Sequence, residues 1–162
     1  MTPCGRGVAA LSILLMSEVA SGSPDGCDKA YKDWNNSAAL KKCEFAAKAG
    51  NADAEFGYGL VLWSGPPQGI DHSAALDWLR KSARQGHWLA QVSLGTFLQI
   101  PDLEAGLRNK SEAFAWLVTA GASKEAARLR PKLSDSEIRE ADRLASEFGL
   151  KYPLKRPLQG GT

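Results

Sequence analysis

Ala54-Glu55-Phe56-Gly57-Tyr58-Gly59-Leu60-Val61-Leu62 returns one period later as Ala90-Gln91-Val92-Ser93-Leu94-Gly95-Thr96-Phe97-Leu98. Alanine, apolar residues and glycine recur in step. Gly59 to Gly95 is 36 positions, Gly50 to Gly86 is 36, and Gly86 to Gly121 is 35. The segments between them also match, Ala75-Leu76-Asp77-Trp78-Leu79 against Ala113-Phe114-Ala115-Trp116-Leu117. Recurrence of both halves at one period marks a repeat array, and it sets the reading of everything around it.

Each unit reads as two helices. Leu76, Leu79 and Ala83 fall on one helical stripe, as do Phe114 and Leu117. Gly50-Asn51, Gly86-His87 and the stretch from Gly65 to Gly69, with Pro66 and Pro67, supply stops and turns. A glycine inside a helix costs about 1 kcal/mol relative to alanine. Its return at the same phase, Gly59 and then Gly95, implies a compensating close approach by a neighbouring helix. No segment alternates apolar and polar residues as a sheet requires, so the fold class is all-α.

Outward from the repeats, Asp28-Lys29-Ala30-Tyr31 and the helix from Ala38 to Gly50 read as an irregular opening hairpin. Downstream, Lys124 to Lys132 reads as a short helix that stops around Pro131. Ser134-Asp135-Ser136-Glu137 then forms a capping box. The helix it opens carries Ile138, Ala141, Leu144, Ala145 and Phe148 on one face and a solvated face opposite. A polar-backed terminal helix is what a repeat array needs at its end.

Composition allows one domain with a real core. The chain has 162 residues, 44% of them hydrophobic and 23% charged. The 20 basic and 18 acidic residues are too evenly matched to suggest nucleic acid, which calls for a basic face. Lys151, Lys155 and Arg156, set among Pro153, Pro157, Gly160 and Gly161, read as a solvated tail.

The first residues have the layout of a secretory leader. Arg6 precedes the apolar run Val8 to Met16, and Ala20 and Gly22 stand at the −3 and −1 positions of a cleavage site. The run is shorter than the roughly 20 residues that cross a bilayer, so no stable membrane span is expected in the mature chain. The expected location is outside the cytoplasm, in the periplasm. Cys4 leaves with the leader, and the remaining even pair, Cys27 and Cys43, suggests one disulfide in an oxidising compartment. Two buried free thiols are the alternative.

The chain then divides into a leader over 1–22, a repeat domain over 23–149 and a tail over 150–162. Within the domain lie an opening hairpin over 25–50, repeats over 50–86 and 86–121, and a cap over 122–149.

At this level of detail the chain resembles the Sel-1-like repeat family, a relative of the tetratricopeptide repeats. Gly59, Gly65, Asp71, Ala75, Trp78, Ala83 and Gly86 match its pattern in the first full repeat. Ala90, Leu94, Gly95, Ala113, Trp116 and Leu117 match it in the second, and the likeness extends over roughly 28 to 149. His72 departs from the family's usual tyrosine, and the loop from Pro101 to Lys110 is longer than usual. The resemblance implies a short right-handed α-solenoid of antiparallel helix pairs. It also implies a scaffold or adaptor, with the partner left open.

Chemistry-bearing constellations are sparse. His72 and His87 lie in turns at different ends of a helix, with no paired-histidine or paired-cysteine spacing around them, so no metal site is expected. Asp71-His72 lacks a nucleophile elbow, and family resemblance explains Asp71 as a turn residue. Cysteine-rich relatives have been linked to penicillin-like compounds, but the Ser-x-x-Lys signature does not occur. No enzyme activity and no cofactor are expected. Trp78 and Trp116, in phase with each other, read as core.

The expected function is recognition of a protein or peptide through the face lined by the first helix of each repeat. Residues that the repeat pattern leaves free there are Glu55, Trp63, Gln91, Ser93, Thr96 and Gln99, with His87 and Trp88 at the edge. Trp63 and Trp88 are weighed as partner anchors against ordinary packing. An inhibitor or immunity protein capping one enzyme is the alternative, and a hydrolase built on a histidine is the remote one.

Overall fold

The computed structural model describes residues 27–33, 37–65, 69–104 and 106–154. The leader expected over 1–22, the Asn35-Asn36 turn, the Pro66-Pro67 pair and tail residues 155–162 lie outside these. Among the described residues the helices are α1 (Cys27–Lys32), α2 (Ser37–Lys48), α3 (Ala52–Ser64) and α4 (His72–Arg84). They continue with α5 (Trp88–Phe97), α6 (Lys110–Thr119), α7 (Ser123–Leu129), a 3-10 turn (Arg130–Lys132) and α8 (Asp135–Lys151). Successive helices pack on one another from α2 to α6, and α8 then packs on α6. The result is an all-α solenoid of antiparallel helix pairs. The terminal helix runs through Lys151, two residues into the stretch read as tail.

The punctuation repeats atom for atom. Gly50, Gly86 and Gly121 take positive φ values of 84°, 85° and 68°. Each glycine N–H bonds the carbonyl three residues back (Ala47, Ala83, Val118), and the following N–H bonds the carbonyl five back (Ala46, Ser82, Leu117). That is the Schellman closure, in which glycine takes a left-handed conformation at little steric cost. The residue after the glycine then opens the next helix. Asn51 caps α3 by accepting the Ala54 N–H, and His87 caps α5 by accepting the Ala90 N–H. Asp71 and Asn109 cap α4 and α6 in the same way. The capping box at Ser134 and Glu137 forms at the start of α8 as its spacing predicts.

The mid-helix glycines are contact points. A Cβ on Gly59 would lie 3.0 Å from Leu79 Cγ and 3.1 Å from the Ala75 carbonyl. A Cβ on Gly95 would lie 2.6 Å from Leu117 Cδ2 and 3.1 Å from the Ala113 carbonyl. The second helix of each repeat therefore rests its leucine and an alanine carbonyl against the glycine of the first. The close approach inferred from the recurrence is present in both units. Phe56, Leu60, Leu76, Leu79, Leu94, Phe97, Leu98, Trp116 and Leu117 fill the core that this approach creates. Trp78 departs from expectation. It is half-buried rather than in the core, with Tyr58 packed edge-on against it and Lys81 Nζ 3.6 Å above its ring.

Cys27 and Cys43 form a disulfide that ties α1 to α2, their Cα atoms 4.7 Å apart. A Cβ on Gly57 would lie 2.6 Å from Cys27 Cβ, so the bridge seats directly on α3. In the chain-entropy picture a loop of this length contributes about 3 kcal/mol.

Candidate interaction face

The two first helices, α3 and α5, meet along a line of stacked rings. His87 at the start of α5 lies on Phe56, with ring centroids 4.8 Å apart. Phe97 at its end lies on Trp63 at 4.0 Å, nearly parallel at 9°. His72, at the start of α4, closes the other side of Trp63 at 4.5 Å. His87 Nε2 also reaches Asp53 Oδ1 at 3.0 Å. The hydrogen bond from the imidazole holds the Asp53 carboxyl below the usual carboxylate range, against the opposing effect of partial burial.

The stripe of α3 that these rings cover is Asp53, Phe56, Leu60 and Trp63. Thirty-six positions on, the same stripe of the next unit is Leu89, Val92, Thr96 and Gln99. Its cover is incomplete. The first helix of the following unit, α7, has only 7 residues and packs on α6. Leu60 and Trp63 are buried where their counterparts Thr96 and Gln99 are half-buried, whereas Phe56 and Val92 are both buried and Leu89 is half-buried where Asp53 is exposed. Thr96 Oγ1 donates to the Val92 carbonyl and Gln99 Nε2 to the Gly95 carbonyl, which parks both side chains along their own helix.

The eight residues expected on the binding face therefore separate. Thr96 and Gln99 lie together on the half-open stripe. Trp88 is half-buried and donates its indole N–H to the Ala120 carbonyl at 3.0 Å, which pins the start of α5 to the end of α6. His87 is half-buried as the cap of α5. Glu55, Trp63, Gln91 and Ser93 are buried, and in this conformation they present almost no surface to a partner. Trp63 is sandwiched as described. Glu55 accepts from Gln85 Nε2 at 2.8 Å, and burial raises its carboxyl pKa. Gln91 donates to the Ala83 carbonyl and to the Tyr152 carbonyl, so it fastens the end of α8 and the end of α4 to α5. Gln91 Oε1 and Ser93 Oγ have no hydrogen-bond partner among the described residues. The repeat pattern leaves these four free because their surroundings are not part of it: Trp63 is covered by Phe97 of the next repeat, Glu55 meets Gln85, and Gln91 meets the ends of α4 and α8.

Two features escaped the sequence reading. Arg80 on α4 forms a two-armed ion pair with Glu112 on α6, Nε to Oε1 at 2.8 Å and Nη2 to Oε2 at 2.9 Å. The Trp116 indole N–H also donates to Glu112 Oε1. This joins successive second helices, and no local spacing announces a pair 32 residues apart. The capping role of His87 did have a signal, because Gly86-His87 aligns with Gly50-Asn51.

Among the described residues no group of three or more His, Cys, Asp and Glu side chains could hold a metal ion. No helix there is long and apolar enough to cross a membrane. No protein-family model matches the chain, and no curated protein does. Among solved structures it is similar to a protective antigen present in uropathogenic Escherichia coli strains, described as displaying an SLR fold. The TM-score is 0.64 and the identity 23%, over 95% of this chain and 34% of that one. The chain thus spans about a third of that protein's length, and at this identity the likeness is one of fold.

Proposed function

We propose that the protein is a non-catalytic protein-interaction module of the Sel-1-like repeat kind, acting in the periplasm or cell envelope. Its partner, a protein or peptide segment, would be gripped along the half-open stripe of α5. The observation that carries this reading is the unequal treatment of one surface in two successive repeats. The far end of the stripe, sealed in the first unit at Leu60 and Trp63, is left half-open in the second at Thr96 and Gln99. A repeat array extends by laying another element on that surface, so a helix or peptide from a partner fits where a further repeat would go. Leu89 supplies apolar contact, Thr96 and Gln99 supply hydrogen-bonding groups once released from their own helix, and Trp88 stands at the edge. The leader pattern and the disulfide support an oxidising location.

Affinity capture of the tagged chain from a periplasmic extract tests the reading. The comparison is a variant carrying Thr96→Lys and Gln99→Glu, whose fold is checked by circular dichroism. A stoichiometric partner held by the parent and lost by the variant is expected, and its identity separates an adaptor from an enzyme inhibitor. Equal recovery of the same proteins by both forms sinks the assignment of this stripe.

A further inference from the structure

We infer that His87 is a proton-sensitive cap: as a neutral imidazole it locks α5 to α3, and protonation of the ring releases the first turn of α5. Both ring nitrogens are committed. Nδ1 accepts the Ala90 N–H at 3.2 Å, and Nε2 faces Asp53 Oδ1 at 3.0 Å. A neutral imidazole has one N–H and one lone pair, so this pair of contacts is satisfied only by the tautomer carrying its proton on Nε2. The ring is held in that orientation by Phe56, stacked at 4.8 Å, and its side chain is 16% exposed.

A second proton must go to Nδ1. There it turns the acceptor into a donor that points at the Ala90 N–H, so the cap is lost and two donors face each other. It also places a cation at the positive end of the α5 dipole. The charged groups of α3 are Asp53 and Glu55, and the last turn of α4, which leads to His87, carries Lys81 and Arg84. Asp53, the one in contact with the ring, favours the cation. Its side chain is 57% exposed, however, and water screens that attraction. Glu55 is engaged by Gln85. Whatever that attraction, a proton on Nδ1 breaks the bond from the Ala90 N–H.

The preceding repeat supplies the contrast. Asn51 holds the position of His87, follows its glycine in the same Schellman closure, and accepts the Ala54 N–H at 2.9 Å. Its amide does not titrate. One repeat joint is therefore built to respond to protonation where the other is not. The inference concerns the free protein and stands whether or not the α5 stripe binds a partner.

Amide exchange of the full chain by NMR tests it, because the Ala90 N–H has no acceptor within its own helix and reports the cap directly. Corrected for intrinsic rates, protection at Ala90 is expected to fall about tenfold between about pH 7.5 and about pH 5, the equivalent of one side-chain cap. Protection at Ala54 is expected to hold over the same range. In His87→Asn, Ala90 should behave like Ala54. Nitrogen shifts at pH 7.5 should show the Nε2-protonated tautomer. Parallel loss at Ala54 and Ala90, an unaltered profile in His87→Asn, or an imidazole already cationic at pH 7.5 would each overturn the inference. The Ala54 comparison is internal to the parent chain, so the test survives if the variant fails to fold.

Discussion

α3 and α5 hold the same place in successive repeats, start after the same kind of glycine and carry a glycine at the same phase, yet one face of them fares differently. In α3 that face ends in Trp63, stacked on Phe97 and tilted against His72. In α5 the corresponding residue is Gln99, half-buried and bonded to its own helix. What separates them is the element that follows. The repeat after α3 brings a 10-residue helix with an aromatic residue at its end, and the repeat after α5 brings a 7-residue one. A repeat face is thus core or surface according to what its successor lays on it.

The sharpest way to break this comparison is to truncate both ends of the stripe. Trp63→Ala removes a sandwiched indole and should destabilise the protein by about 4 kcal/mol in urea unfolding. Gln99→Ala, at the same phase, should stay within about 0.5 kcal/mol of the parent. Similar losses for the two would mean that the stripe of α5 is as structurally committed as that of α3, and the proposed face would be withdrawn.

The mid-helix glycines sharpen the comparison from the opposite side. The Cβ that Gly95→Ala introduces meets Leu117 inside the distance real side chains allow, whereas that of Gly59→Ala meets Leu79 at its limit. Overpacking at Gly95 should cost about 3 kcal/mol and at Gly59 about 1 kcal/mol, by the same measurement. The reverse order would show that α6 gives way more readily than α4.

These glycines also show what the sequence makes legible. Gly59 and Gly95 announced a close approach because a helix interior tolerates glycine only for a reason, and the reason had to recur with the repeat. The Schellman glycines and the Ser134 box are likewise visible, since each is a local device with a fixed spacing, and the Cys27–Cys43 bridge is visible from the even cysteine count behind a leader. Trp63 reads as free because nothing in α3 alone says which side the next repeat covers, and Glu55 and Gln91 read as free because their partners, Gln85 and the Ala83 and Tyr152 carbonyls, lie outside α3 and α5. Trp78 was placed in the core on the strength of its partner in phase, Trp116. Only Trp116 has Phe148 of α8 stacked on it, at 4.2 Å, and Trp78 has Lys81 instead. The terminal helix makes that difference, and it lies outside the repeat.

The second helices give a smaller effect. Arg80 and Glu112 join α4 to α6 with side chains 24% and 14% exposed, so the pair is only partly screened. Glu112→Gln keeps the shape and one acceptor but removes the charge, leaving Arg80 with Asp77 alone. A loss of about 2 kcal/mol is expected, in the range for hydrogen bonds to charged groups. Its near-absence in Arg80→Met/Glu112→Leu would identify the cost as an unpaired charge rather than a missing contact.

The smallest effect concerns a position where the two repeats differ by one atom type. Glu55 of α3 and Gln91 of α5 occupy the same phase and are both buried. Burial raises the Glu55 carboxyl pKa, and the hydrogen bond from Gln85 and the charge of Lys81 only partly oppose it. A carboxyl whose folded pKa is raised contributes its full stability below its unfolded pKa, and that contribution is lost as pH rises through the folded value. The parent should therefore lose ground to Glu55→Gln between about pH 4 and pH 7, where the amide keeps an acceptor for Gln85 without burying a charge. The expected gain at neutral pH is no more than about 0.5 kcal/mol, read as a small rise in the urea midpoint that disappears on acidification. A variant less stable than the parent at neutral pH would show that the charged bond from Gln85 outweighs burial. In that case α3 depends on a carboxylate that accepts from Gln85, where α5 depends at the same phase on an amide that donates to the Ala83 and Tyr152 carbonyls.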